Sequence, residues 1–138
     1  ETTRVRIGRP VAEAACIGQL RSVARESTIF FGTGGASLSQ NDLRTIQVIG
    51  RMVENCPDAI VYITGHSDPS GSRQANMLLS WQRADNATRA LEDLGFDVAQ
   101  YEPVGFGARI PYAEGDAGDA ELERRVEFNI QELLWETR

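Results

Sequence analysis

The apolar positions of the chain fall into two periodicities, helical and strand-like. Over residues 11–25, VAEAACIGQLRSVAR, Cys16, Leu20 and Val23 recur at helical spacing. TIFF at 28–31 reads as a strand from its β-branched and aromatic content. GTGGAS at 32–37 reads as a loop. Ser39 with Asp42 three residues on predicts a capping box. The helix it opens carries Leu43, Ile46, Ile49 and Val53 on one face. It should stop near Asn55, because Pro57 disfavours helical geometry in the residue before it. Residues 1–9 read as a frayed, basic lead-in.

AIVYIT at 59–64 is apolar on both faces, which predicts a central, covered strand. GHSDPSGS at 65–72 is a turn. A long helix follows over about 73–94, with Leu79, Ala84, Ala87, Leu91 and Leu94 as its buried stripe and Gly95 as its stop. VAQYEPVGF at 98–106 predicts a strand, and 107–120 an irregular Gly/Asp-rich loop. RRVEFNI at 124–130 alternates, placing Val126, Phe128 and Ile130 inward. The order is α-β-α-β-α-β-β. Its strand–helix–strand crossovers predict parallel pairs, and the last strand should join antiparallel. The expected fold class is α/β (α+β), a two-layer sandwich with helices packed on one sheet.

Composition narrows the class. A chain of 138 residues is one domain with a core, and 41% apolar with 25% charged residues fits a globular protein. No apolar run reaches the ~18 residues of a membrane span. The chain begins at Glu1 and shows no charged-then-apolar leader, so it reads as a processed protein or an excised domain. Fourteen basic against twenty acidic residues leave a net charge of −6. That disfavours nucleic acid and anionic lipid as partners, so an anionic ligand must be held by a specific arrangement. Cys16 and Cys56 form no CxxC and no Cys/His cluster. They are either two buried free thiols or a disulfide joining the first helix to the end of the second. The disulfide would stabilise the fold by about 4 kcal/mol in the chain-entropy account.

GHSDPSG at 65–71 holds the only histidine, His66. The stretch falls one residue short of a nucleophile elbow, because Pro69 stands where the last glycine belongs. A nucleophilic serine needs a base aimed at its hydroxyl. His66 and Ser67 are neighbours in extended chain and point to opposite sides, and no second histidine exists. A hydrolase is therefore disfavoured. One histidine and scattered carboxylates make no transition-metal site, and GDAGD at 115–119 lacks the spacing of a calcium loop. No metal and no cofactor are expected, and His66 reads as structural.

Asp68, by contrast, follows a central strand and precedes a helix N-terminus, where open sheets bind ligands. Asn76, Ser80 and Arg83 share one face of that helix, distinct from the leucine stripe. A carboxylate, an amide and a guanidinium can then converge on a zwitterion such as the α-end of an amino acid. Against that stand a turn-forming role for Asp68 and a surface ion pair for Arg83.

The same residues carry a resemblance. GHSDPSGSRQANMLLSWQRADNATRAL at 65–91 resembles the signature of the OmpA-like C-terminal domain, with Gly65, His66, Ser67, Asp68, Gly71, Asn76, Leu79, Ser80, Arg83 and Ala84 on its marked positions. FGTGGASL at 31–38, GFG at 105–107, Pro111 and RRVEF at 124–128 extend the likeness over roughly 28–130. The resemblance implies a β-α-β-α-β-β core at 28–138, preceded by a lead-in and extra helix at 1–27. It implies non-covalent binding of peptidoglycan that anchors an envelope protein to the cell wall, with no catalysis. Asp68 would take the ammonium and Arg83 the carboxylate at the free end of meso-diaminopimelate. Asn76, Ser67 and Arg124 would complete the pocket. A lysine stem, lacking that carboxylate, would leave Arg83 unpaired. The helix bearing Cys16 and the Cys-Pro at 56–57 recur together in some members, which implies the disulfide and a periplasmic home.

This chain departs from the family pattern at four places: Ser67 for Thr, Ala108 for Glu, Glu123 for Asn and Asp119 for Arg. Glu123 and Asp119 are expected to weaken carboxylate binding. They also support an alternative, a structural or protein-interaction module that has lost the ligand.

Overall fold

A computed structural model describes residues 11–112 and 119–133, with side chains from Ala15 onward. The lead-in at 1–9 and all but the last residue of GDAGD lie outside the described residues. Helix α1 (Val11–Arg25) leads to a two-residue strand β1 (Ile29–Phe30) and helix α2 (Gln40–Glu54). Strand β2 (Ala59–His66), helix α3 (Arg73–Asp93) and strand β3 (Tyr101–Gly105) follow. One short turn of helix, α4 (Ala120–Glu123), precedes strand β4 (Arg125–Glu132).

The helix ends obey local chemistry. Ser39 and Asp42 form the expected capping box at α2, satisfying two backbone N–H groups that the helix leaves unpaired. Ser72 caps α3 by accepting from the Ala75 N–H. At the other end Gly95 takes φ +96°, and Phe96 N–H returns to the Leu91 carbonyl, closing the helix as a left-handed glycine does.

The sheet order is β1-β4-β2-β3. β2 and β3 pair in parallel across α3, as the crossover predicts. β1 and β2 do not touch, because β4 inserts between them, antiparallel to both. The last strand is therefore central rather than at an edge. Its inward residues Val126, Phe128 and Ile130 are buried with Val61 and Ile63 of β2, Ile46, Ile49 and Val53 of α2, and Leu20 of α1. α1 packs on β4 and α2, and a Cys16–Cys56 disulfide with Cα atoms 5.8 Å apart ties it there.

Two expectations need correction. β2 is central but not covered on both faces: Tyr62 is 39% exposed on the outer face. The stripe of α3 holds at Ala84, Ala87 and Leu91 but not at its two ends: Leu94 is exposed and Leu79 only half-buried, whereas Ser80, Arg83 and Ala90 also face inward. Close approach explains the N-terminal half. A Cβ on Gly65 would stand 1.8 Å from the Ser80 carbonyl oxygen, and one on Gly105 2.8 Å from the Trp81 nitrogen. There the helix lies almost on the strand backbones, and Ser80 rather than Leu79 faces them.

Candidate functional site

The site forms where β2 leaves the sheet. β2 runs two residues into the GHSDPSG stretch, so His66 is its last residue and Asp68 starts the turn. Asp68 Oδ1 accepts from both the backbone N–H at 2.9 Å and the hydroxyl of Ser70. Its Oδ2 faces the Arg124 Nη1 at 3.3 Å. The Ser70 hydroxyl bond is the largest influence holding the Asp68 carboxyl below its usual range; burial opposes it, and the Ser70 N–H and Arg124 assist. Asp68 and Arg124 are largely shielded, with side chains 10% and 13% exposed.

Arg83 lies behind this pair, fully buried. Its Nε donates to the Gly35 carbonyl at 2.7 Å, Nη1 to the His66 carbonyl at 2.8 Å and Nη2 to the Gly32 carbonyl at 3.2 Å. Its guanidinium also stacks over Phe31 at 5.1 Å. One side chain thus fastens the 32–35 loop to the end of β2. Asn86, one turn further along α3, holds the same loop through the Ala36 carbonyl. Burial, then repulsion from Arg124, lowers the Arg83 pKa to about 10, partly offset by attraction from Asp68. Arg83 therefore stays charged at neutral pH and feels both partners. The surface ion pair weighed for Arg83 is not formed among the described residues: the sequence shows its spacing but not the carbonyls that enclose it.

The remaining residues divide. Arg124 anchors itself by donating from Nε to the Phe31 carbonyl at 2.9 Å. Asn76 is half-buried beside Gly71. Ser67 is buried, and its hydroxyl has no hydrogen-bond partner among the described residues. Ser80, on the face shared with Asn76 and Arg83, is structural: it donates to the Met77 carbonyl and accepts from Gly107 N–H at 2.8 Å. His66 is 2% exposed, stacks on Phe106 and contacts the Thr64 hydroxyl at 3.1 Å, which agrees with a structural role. Burial, then the Arg125 charge, lowers its pKa to about 3, so it is neutral at physiological pH.

Glu123 points away from the pocket. It is buried, lies 3.3 Å from Arg125 Nη1 and accepts from the Tyr112 N–H at 3.2 Å. The charge expected to weaken ligand binding is neutralised on the opposite face. Asp119 caps α4 by accepting from Glu121 N–H. The sequence reading missed Arg125 and Glu127. Strand parity was the available signal, since Arg125 and Glu127 are two apart in β4 and share the face opposite Val126.

The sequence pattern of the OmpA family matches residues 30–125. The chain belongs to the OmpA family. It is 28% identical over 108 residues to the probable lipoprotein YiaD of Escherichia coli, covering 78% of this chain and 49% of that protein. It is 34% identical over 125 residues to the peptidoglycan-binding protein ArfA of Mycobacterium tuberculosis, covering 88% of this chain and 38% of that one. The chain thus spans half or less of the length of these relatives. Its fold resembles the crystal structure of the peptidoglycan-associated lipoprotein from Burkholderia pseudomallei, with a TM-score of 0.69 and 28% identity, covering 75% of this chain and 89% of that one. The OmpA match begins in β1, so α1 lies outside it and the disulfide joins Cys16, outside, to Cys56, inside. Among the described residues no helix is long and apolar enough to cross a membrane.

Proposed function

We propose that this OmpA-family chain binds peptidoglycan non-covalently and anchors an envelope protein to the cell wall. One observation carries the reading. Two guanidiniums, Arg83 and Arg124, repel each other across a single carboxylate, Asp68, at one mouth of a protein whose net charge is −6. An incoming carboxylate relieves that repulsion, and an incoming ammonium can replace Arg124 on Asp68. A group carrying both charges fits the constellation, and the free end of meso-diaminopimelate is such a group. In this reading Asp68 takes its ammonium. Its carboxylate goes to Arg124, released from Asp68, and to the N–H groups of Arg83 that the carbonyls leave over. Asn76 and Ser67 supply polar edges.

The relatives named for peptidoglycan support a binding domain rather than an enzyme. Relatives that are lipoproteins support a cell-envelope location, and the disulfide favours an oxidising compartment such as the periplasm of a Gram-negative cell. Helix α1 acts as an appended element on a peptidoglycan-binding domain that starts at residue 28. A second reading, a module that has lost its ligand, draws on the internal Asp68–Arg124 pair, which leaves the site satisfied by itself. Retention on purified diaminopimelate-type sacculi separates the two. The wild type should sediment with the wall, and Asp68→Ala and Arg124→Gln should lose at least tenfold of the bound fraction. Equal retention of all three removes this site from the account, and no retention of the wild type favours the second reading.

A further inference from the structure

Beside the Asp68 mouth the surface opens into a groove of about 490 Å³. Pro69, next to Asp68, forms its near end. Arg73, the first residue of α3, and Arg109, in the loop after β3, flank it, and Asn76 and Ala108 line it. Among the described residues that line it none is acidic. The groove is built rather than incidental. Gly107 adopts φ +62°, a left-handed conformation that favours glycine, and packs against the Met77 side chain. Ser80 pins that wall through Gly107 N–H, and Ser67 N–H binds the Gly107 carbonyl at 2.9 Å. Arg109 is held by its Nε on the Phe106 carbonyl at 3.2 Å and by its guanidinium over the Phe106 ring at 5.7 Å. That leaves its terminal N–H groups to face the groove. Arg73 has no carboxylate partner among the described residues, and Ala108 brings no charge to offset the pair.

We infer that this groove is a second anionic subsite, in which Arg73 and Arg109 take a backbone carboxylate of the stem peptide whose diaminopimelate end sits at Asp68. The inference rests on the peptidoglycan reading and extends it to the neighbouring residues of the ligand. A stem tripeptide offers two such carboxylates, the α-carboxylate of its glutamate and the main-chain carboxylate of its diaminopimelate. Both are single charges at a half-open surface, so each contact is worth a few-fold in affinity rather than a thousandfold.

Calorimetric dissociation constants for a soluble disaccharide-tripeptide and its two singly amidated forms test this. One form is amidated at the glutamate α-carboxylate and the other at the diaminopimelate main-chain carboxylate. The wild type should bind the unmodified ligand about fivefold more tightly than at least one amidated form, and the weakened form identifies the carboxylate. In the Arg73→Gln/Arg109→Gln double variant that preference should vanish, with the weakened form bound as the wild type binds it. Equal affinity of the wild type for all three ligands overturns the subsite while leaving the peptidoglycan reading standing. A loss in the double variant that is the same for all three ligands overturns it too. Failure of the wild type to bind any of them removes both.

Discussion

Arg124 and Arg125 are neighbours in sequence with opposite fates. Arg125 begins β4 on the outer face and is 1% exposed. It is surrounded by Glu123 at 3.3 Å, Glu127 at 2.8 Å, the Ile110 carbonyl and the Tyr112 ring. Two carboxylates flank its charge, and the loop that follows β3 covers it. Arg124, one residue earlier, turns to the other side and meets one carboxylate, Asp68, within a cluster that already holds the cation Arg83. The first arrangement holds one cation between two carboxylates, with Arg125 almost wholly enclosed. The second holds two cations on one carboxylate, with Arg124 the more exposed of the two neighbours. An excess of anion around a buried cation fixes structure, whereas an excess of cation is what an incoming anionic group would complete.

Substitution should separate the two. Arg125→Ala strands Glu123 in a buried position, and removing one partner of a buried pair costs about 3–5 kcal/mol. Arg124→Ala leaves Asp68 its two hydrogen bonds from Ser70 and should cost less, about 1–3 kcal/mol. Urea unfolding of the two variants measures the contrast. Similar losses in both would erase the distinction between a structural and a functional arginine.

Acid sharpens the same contrast through His66, which faces Arg125, Thr64, Phe106 and Glu127 on the closed side. Its folded pKa of about 3 lies below the ordinary 6.5. Above pH 6.5 the ring is neutral whether folded or unfolded, and it adds no pH dependence. Below that, the unfolded chain takes up the proton first, so stability falls as pH drops from 6.5 towards 3, by at most about 1.4 kcal/mol per pH unit. Asp68 also loses stabilisation on acidification, because its carboxyl is held low. His66→Gln should therefore flatten the acid slope without abolishing it. An unchanged slope in that variant means that His66 is not the group being protonated.

Much of the architecture was legible because it is local. The Ser39–Asp42 box, the Pro57 stop, the Gly95 cap and the alternation of Val126, Phe128 and Ile130 each express a rule acting over a few residues. The position of β4 was not legible, since strand order depends on pairings between segments far apart in the chain. Periodicity placed Ala84, Ala87 and Leu91 of α3 inward but missed at Leu79 and Leu94. Gly65 and Gly105 draw the N-terminal half of the helix close to the strands, where Ser80 and Arg83 face inward instead.

The candidate site divides in the same way. Asp68 could be placed from its position after the strand, and Arg83 from its spacing along the helix. What could not be read was that three carbonyls on two separate segments would enclose Arg83 and leave Arg124 as the more accessible cation. The pairing of Glu123 with Arg125 was not legible, because Glu123 ends α4 and lies before β4, where counting in twos applies.

The central claim is that the unbalanced cluster recognises a zwitterion rather than any peptide. The most direct test compares the affinity of the wild type for two soluble muropeptides that differ only in diaminopimelate or lysine at the third stem position. The lysine ligand keeps the ammonium for Asp68 but has no carboxylate for Arg124 and Arg83. The account predicts that it binds at least tenfold more weakly, the loss expected when a charge-assisted contact goes unmade. Equal affinity for the two ligands would contradict the account.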